Sequence, residues 1–293
     1  MSQEPQPNAV ALNTLKGGVG KTTISLNTAR ELAERGHDVL LVDLDPNGHL
    51  TVGLDFREVY LDDEHADLGE IIIDRDAEPD DAIVSTEFGF DLFPSTADLE
   101  DVQDRLGSVN HGTVRMRQFL VEPLLGDTYD YIIIDTPGST GHLTDNALVA
   151  TESILVPLRP GPESLGGFER TVERLIKPLR EFISLDLLAI VPTDLQRRID
   201  QQTLDRELIE SLVTREHLAA KVPNFAYISP ADLEKIDSGE WDGSLPKPGI
   251  RHSESLSRAI GDHKPLRDYA PEDSILSSFE ELASIIEHGE VRR

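Results

Sequence analysis

The stretch NTLKGGVGKTT, residues 13–23, contains the glycine-rich pattern of a phosphate-binding loop together with one lysine more than that pattern requires. In the form G-x-x-x-x-G-K-[ST], a single lysine directly before the serine or threonine reaches the β- and γ-phosphates of a nucleotide. Lys21 fills that position, yet Lys16 stands before the glycines. The second lysine therefore needs an explanation of its own.

The neighbours of this stretch favour a true nucleotide site. The apolar run NAVALNT (8–14) predicts a strand, and KTTISLNTARELAERG (21–36) has apolar residues near helical spacing and ends on Gly36. A glycine-rich loop between a strand and a helix is the setting in which the pattern binds phosphate. The alternative, a turn that binds nothing, is disfavoured by this setting.

Each type of residue in the loop has a physical task. Gly17, Gly18 and Gly20 let backbone N–H groups close on phosphate oxygens, and the N-terminus of the helix adds its positive dipole end. Thr22 is expected to place its hydroxyl on Mg²⁺.

The remaining strands place this loop in an α/β fold. Continuous runs rich in Val, Ile and Leu are typical of strands covered on both faces, and they alternate here with amphipathic helical stretches. We therefore predict one α/β domain over residues 1–293, with a central, mostly parallel twisted sheet flanked by helices and a short flexible N-terminus at 1–8. The predicted strands are 8–14, 37–45, 129–136, 153–160 and 186–194.

Two stretches fit the sheet poorly. Residues 57–85 are acidic and predict helix with loops on the surface. Residues 221–249 carry prolines, glycines and the single tryptophan, and they predict a surface insertion.

The composition points to a salt-adapted protein. Asp and Glu total 55 against 27 Lys and Arg, the formal net charge is −28, and only seven of the cations are lysine. Acidic, lysine-poor surfaces keep a protein hydrated in concentrated salt, where self-repulsion is screened over about 3 Å at 1 M. We interpret the chain as a cytoplasmic protein of a halophile; an acidic mesophilic protein is the alternative.

Several classes of protein are disfavoured by what the sequence lacks. Cysteine is absent, which excludes disulfides, thiolate metal sites and iron–sulfur ligation. No stretch approaches the roughly 18 apolar residues of a membrane span, and residues 1–10 lack the regions of a signal peptide.

The loop departs from the standard pattern. That pattern has a glycine five positions before the glycine that precedes its lysine, but here that position is Leu15, and the loop reads K-G-G-V-G-K-T-T. This deviant Walker A loop resembles that of the ParA/MinD family of dimeric ATPases, and most closely the Soj-like ParA proteins that partition chromosomes and plasmids. The resemblance continues through most of the chain, in DLDPN (43–47), FDLFPSTADLEDVQDRL (90–106), YIIIDTPGS (131–139) and HKPLRDYAPEDSILSSFEELASII (263–286).

The resemblance assigns roles to individual residues. It implies that Thr22, Asp43 and Asp135 belong to a Mg²⁺ site, the acids acting through water, and that Asp45 orients or activates the attacking water. Asn47 and Gly138 stand where the family commonly has glutamine and proline, and neither change removes a charge. The residues expected to bind ATP are Lys16, Gly17, Gly18, Val19, Gly20, Lys21, Thr22 and Thr23.

The resemblance also explains the extra lysine. In ParA-like proteins the lysine at the start of the loop reaches the ATP of the partner subunit, so Lys16 is expected to act catalytically across an ATP-dependent homodimer, beside Lys21 and Asp45. An ordinary solvated lysine is the alternative.

Among members of the family, the residues favour a DNA-partition ATPase. MinD-type proteins end in a basic amphipathic helix, whereas this chain ends FEELASIIEHGEVRR, so no membrane partner is expected. From the short N-terminus we expect no added helix-turn-helix domain, and hence no operator-specific binding. By resemblance, TDLQRR (193–198) and IRHSES (250–255) supply Arg197, Arg198 and Arg251 for non-specific DNA binding.

The predicted activity is slow, Mg²⁺-dependent ATP hydrolysis stimulated by a ParB-like or other adaptor, with association to the nucleoid when ATP is bound. A different class stays open: a ParA-like ATPase that positions a protein cargo or regulates an assembly through protein contacts alone.

Overall fold

Five strands that are buried on both faces form the middle of an eight-stranded sheet in the computed structural model, which describes residues 8–162, 164–196, 199–200 and 203–293. The strand order is β3-β4-β2-β5-β1-β6-β7-β8, and every pair is parallel except β3 with β4. The strands are β1 (Asn8–Leu12), β2 (Val39–Asp43), β3 (Val84–Ser85), β4 (Asp91–Phe93), β5 (Tyr131–Asp135), β6 (Ser153–Leu158), β7 (Asp186–Leu195) and β8 (Ile250–Arg251).

The predicted fold class is confirmed, and each of the five predicted strands is present; four are shorter by one or two residues at one or both ends, and β7 is longer by one. The sequence analysis missed β3, β4 and β8. Each has only two or three residues, too few to show a period. Of the predicted flexible N-terminus, residues 1–7 lie outside the described residues, and Asn8 begins β1.

Helices cover both faces of the sheet. They are α1 (Lys21–Glu34), α2 (His49–Gly53), α3 (Arg57–Tyr60), α4 (Pro79–Ala82), α5 (Leu99–Leu106), α6 (Glu122–Leu124), α7 (His142–Thr151), α8 (Ser164–Thr171), α9 (Lys177–Arg180), α10 (Leu204–Val213), α11 (Glu216–Ala219), α12 (Pro230–Ser238), α13 (Glu254–Gly261), α14 (Leu266–Tyr269) and α15 (Leu276–His288). Short π-helical segments occur at Glu70–Asp74, Arg117–Val121 and Val172–Ile176, and 3₁₀ turns at Gly112–Val114 and Asn224–Ala226.

The core consists of two apolar layers separated by the sheet. Successive side chains of a strand point to opposite faces, so each strand supplies both layers. In β2, Leu40 and Val42 enter the first layer, which α7 covers, whereas Val39 and Leu41 enter the second, which α1 and α15 cover. A strand that is apolar at every position is needed to fill both layers, and this is the origin of the uninterrupted runs.

The two stretches that fit the sheet poorly are not simply surface excursions. Residues 57–85 contribute Leu68, Ile71 and Ile72 to the first layer, so the expectation of a surface segment is corrected there. Part of 221–249 closes a third, smaller apolar cluster beyond β7. That cluster includes Leu195, Ile209, Val213, Ile228, Leu233 and Ile236.

The sheet topology brings the polar strand ends together. In register, Leu12 of β1 lies beside Asp135 of β5, which in turn lies beside Asp43 of β2. The strand order also reverses at β1. From β1 the chain passes to β2 on one side of it, and after β5 it passes to β6 on the other side. Ligands of open α/β sheets bind at the carboxyl ends of strands at such a point.

Candidate nucleotide-binding site

The loop between β1 and α1 has the conformation of a phosphate cradle. Gly18 and Gly20 have φ of 68° and 90°, values that side-chain-bearing residues rarely adopt, and Gly20 caps the N-terminus of α1. Lys16, Gly17 and Gly18 are exposed, whereas Val19 is buried under the loop. The backbone N–H groups at the start of α1 are therefore available to an anion.

Two threonines from distant elements anchor the loop. The hydroxyl of Thr193, at the end of β7, donates to the carbonyl of Val19 at 2.7 Å and lies 3.3 Å from that of Leu158. Thr171, at the end of α8, accepts a hydrogen bond from the N–H of Leu15 at 3.3 Å. The sequence analysis missed both anchors, although the polar end of the β7 run was the available signal for Thr193.

Lys21 lies inside the site rather than on its surface, with 8% of the residue exposed. Burial lowers the pKa of its ammonium group, and the nearby carboxylates of Asp135 and Asp45 act in the opposite direction. A cation held this way has lost part of its hydration and interacts strongly with an incoming phosphate.

Thr22 and Asp135, the two residues expected near Mg²⁺ that come from α1 and β5, are hydrogen-bonded to each other. The Thr22 hydroxyl donates to Asp135 Oδ2 at 2.6 Å, and Ser25 Oγ lies 3.3 Å from Oδ1. Burial first, and then the charge of Asp43, raise the pKa of Asp135 to about 7. A buried carboxylate whose ionised form is this costly fits a site completed by a cation, and hydroxyl and carboxylate oxygens are ligands that Mg²⁺ prefers.

Asp43 is fully buried and bonded on both oxygens to the protein. Its Oδ2 accepts from the N–H and hydroxyl of Thr51 at 2.9 and 2.8 Å, and its Oδ1 accepts from the N–H of Asp45 at 3.1 Å. Burial, the largest cause, raises its pKa to about 6 despite these bonds. In this arrangement Asp43 fixes the loop that carries Asp45 and lies beside Asp135, and the metal role inferred by resemblance stays a prediction.

Asp45 is half-buried in the turn that follows β2. Its Oδ1 accepts from the backbone N–H and side-chain amide of Asn47 at 3.0 and 2.7 Å, and its carbonyl accepts from Ser95 Oγ at 2.8 Å. The asparagine that replaces the family's usual glutamine thus holds the carboxylate of Asp45.

The loop after β5 lies close against the phosphate loop. A Cβ atom on Gly138 would come within 3.3 Å of the backbone of Gly17 and 3.5 Å of Lys21 Nζ. The glycine at this position therefore permits the approach of the two loops.

A cavity of about 190 Å³ opens beside the phosphate loop. Asp194, at φ 53°, stands at its edge and binds Arg159 at 2.5 Å and His252 Nδ1 at 2.9 Å. Its lining includes Val19, Gly20, Ile24, Thr193, Asp194, Ile250, Arg251, His252, Ser253 and Leu256. Arg251, expected to contact DNA, thus lies in the wall of this cavity, while Arg197 and Arg198 fall outside the described residues.

Two searches of the described ranges gave negative results. Between residues 8 and 293, leaving out the undescribed gaps, no group of three or more His, Asp or Glu side chains could hold a metal by itself. Within the same portion of the chain, no helix combines the length and apolarity needed to cross a bilayer.

Comparison with known proteins gives a consistent family. A family model described as an AAA domain matches residues 8–185. The chromosome partitioning protein ParA of Caulobacter vibrioides is 30% identical over 236 residues, covering 77% of this chain and 86% of that protein. The chromosome-partitioning ATPase Soj of Thermus thermophilus is 35% identical over 216 residues, covering 73% and 78%.

Solved structures agree on the fold. A plasmid partition protein of Borrelia burgdorferi bound to AMPPNP superposes with a TM-score of 0.73 at 20% identity, over 97% of this chain and 100% of that one. A cobyrinic acid a,c-diamide synthase of Mycobacterium smegmatis with bound ATP analogue and magnesium has a TM-score of 0.60 at 29% identity, over 83% and 99%. With its deviant phosphate loop, the paired Thr22 and Asp135 and these relatives, the chain belongs to the ParA family of partition ATPases.

Proposed function

We propose that this chain is a Mg²⁺-dependent ATPase that dimerises on ATP, binds DNA without sequence preference and hydrolyses ATP to partition DNA. The observation that carries the proposal is the meeting of Thr22 and Asp135 at 2.6 Å below a glycine cradle, with Lys21 buried beside them. The names of the relatives as partitioning proteins support the cellular role.

The residues divide the work of phosphoryl transfer. Lys21 and the backbone N–H groups of the loop bind the β- and γ-phosphates, and Thr22 with Asp135 holds the metal. Mg²⁺ held there would supply positive charge against the negative charge that develops on the phosphate oxygens. Asp45, which is half-buried and held by Asn47, orients the attacking water.

The cavity beside the loop is proposed to take the nucleobase. It adjoins Gly18 and Gly20, so a nucleotide whose phosphates occupy the cradle would extend its base in that direction. Apolar side chains such as Val19 and Ile250 can cover the faces of a base, and Asp194 and His252 offer polar contacts at its edge.

Lys16 is proposed to complete the site of a second subunit. It is exposed on the same loop in which Lys21 is buried, so the two lysines have different environments. A cation supplied by a partner protein can stabilise the transition state of phosphoryl transfer. ATP hydrolysis would then depend on dimer formation.

DNA binding has to overcome the charge of the molecule. Two subunits of −28 carry −56 together, so contact with a polyanion must come from a local group of arginines. Arg197 and Arg198, which are outside the described residues, are the other candidates by resemblance. Because Arg251 lines that cavity, its replacement is expected to disturb nucleotide binding as well.

The proposal is tested by co-sedimentation with random-sequence DNA, with ATP, with ADP and without nucleotide, from about 0.2 to about 2 M KCl. We expect sedimentation only with ATP, and its loss in the Arg197→Glu, Arg198→Glu double variant, which should still bind ATP. If the wild-type chain with ATP does not sediment with DNA at any salt concentration, the alternative is favoured: an ATPase that positions a protein cargo.

A further inference from the structure

Tyr60, in the acidic segment 57–85, contacts the turn that carries Asp45. The Tyr60 hydroxyl donates to the carbonyl of Pro46 at 2.9 Å, although the two residues are 14 positions apart. Tyr60 is half-buried at the end of α3. No role was expected for this segment from the sequence.

The ring of Tyr60 packs on the same turn. A Cβ atom on Gly48 would lie 2.5 Å from two carbons of the ring, so the ring packs closely against Gly48. The turn is closed by a hydrogen bond of 2.8 Å from the N–H of Gly48 to the carbonyl of Asp45. Tyr60 therefore contacts two residues, Pro46 and Gly48, of the four-residue turn 45–48.

The connection that follows β4 also contacts this turn. Ser95, just after β4, donates its hydroxyl to the carbonyl of Asp45 at 2.8 Å. The N–H of Ala97 donates to the carbonyl of Tyr60 at 3.2 Å, which ties Tyr60 to the same connection. The Asp45 turn is thus contacted by both Tyr60 and Ser95, and Tyr60 is hydrogen-bonded to Ala97, two residues after Ser95.

We propose that Tyr60 is a positioning residue that holds the Asp45 turn in the geometry needed for hydrolysis, an inference that rests on the proposed role of Asp45. A misplacement of about 1 Å in a group that aligns a reactant can cost a large factor in rate. Asn47 fixes the carboxylate within the turn, and Tyr60 and Ser95 fix the turn within the fold. Nucleotide binding, which depends on the phosphate loop, does not require Tyr60.

The test compares two Tyr→Phe variants. Tyr60→Phe removes the hydroxyl that binds Pro46 and keeps the ring on Gly48, and we expect kcat to fall about fivefold, the size of one ordinary hydrogen bond. The KM for ATP and the affinity for a non-hydrolysable analogue should stay unchanged. The control is Tyr129→Phe, which also loses one hydrogen bond of 2.9 Å, to Asp91, but at the amino ends of β4 and β5, and it should keep the wild-type kcat.

A double-mutant cycle distinguishes positioning from general destabilisation. Gly48→Ala places a methyl group against the Tyr60 ring and should lower kcat, and Tyr60→Ala should lower it more than Tyr60→Phe does. If Gly48→Ala and Tyr60→Ala both act through the turn, the fold-loss of kcat in the variant that combines them is smaller than the product of the two single fold-losses.

The outcomes separate the inference from the proposed function. Failure of the wild-type chain to hydrolyse ATP would overturn the proposed function itself. If the wild type hydrolyses ATP, Asp45→Ala does not, and Tyr60→Phe matches the wild type in kcat, only the role of Tyr60 is overturned. Equal losses in Tyr60→Phe and Tyr129→Phe, or multiplicative losses in the cycle, would also contradict it.

Discussion

The two lysines of the phosphate loop differ in burial, and we expect their loss to have different consequences. Lys21→Ala removes a desolvated cation beside the phosphates, so ATP affinity should collapse. Lys16→Ala removes an exposed one, so ATP should still bind while turnover and the response to an adaptor fall. Fluorescent-nucleotide titration and phosphate release measure both, with the exposed Lys235→Ala as control. Unchanged turnover in Lys16→Ala would refute the cross-subunit role.

Ionised Asp135 is expected to lower the stability of the folded protein when no metal is bound. Its pKa in the folded state, about 7, lies above the ordinary value of 3.8, so the folded protein binds its proton more tightly than the unfolded chain does. The contribution of Asp135 to stability therefore falls as pH rises from about 4 to about 7 and is least favourable above pH 7.

We expect Asp135→Asn, free of nucleotide and metal, to have a higher Tm than the wild type at pH 8 and a clearly smaller gain in Tm at pH 5, while hydrolysis is lost. Asp127→Asn makes the same change in charge on an exposed turn and should leave Tm nearly constant at both pH values. Calorimetry at fixed molar KCl measures the difference. A gain that is equal at pH 5 and pH 8 would contradict this account.

At the scale of elements, the sequence predicted what local patterns encode. The β1, β2, β5, β6 and β7 strands are apolar on both faces, which is why their runs could be recognised, and in the structure β2 ends on Asp43 beside Asp135 at the end of β5. The contacts of the site with Tyr60 and Thr193 could not be predicted, because they join elements that are distant in sequence and depend on the register of the whole fold.

Thr193 links the end of β7 to the phosphate loop, and this link can be tested alone. Thr193→Val keeps the shape of the side chain but leaves the buried carbonyl of Val19 without its donor at 2.7 Å. We expect ATP affinity to weaken about fivefold, as for the loss of one hydrogen bond. Thr151→Val removes a comparable buried hydroxyl from α7 and should leave the affinity unchanged. Equal affinities in both variants would show that the anchor is dispensable.

At the scale of the whole molecule, the excess of acids determines how the protein responds to salt. With 55 acidic and 27 basic side chains, the folded chain repels itself, and counter-ions relieve this repulsion. We expect Tm to rise from low salt to molar KCl. The triple variant Asp62→Asn, Asp63→Asn, Glu64→Gln removes three exposed acids, changing the net charge from −28 to −25, and its Tm should depend less steeply on KCl. Sucrose stabilises folded proteins by exclusion without screening charge, so it should raise the Tm of both proteins equally. A Tm that is flat or falls with KCl would refute the halophilic interpretation, because self-repulsion would then not limit the stability of this fold.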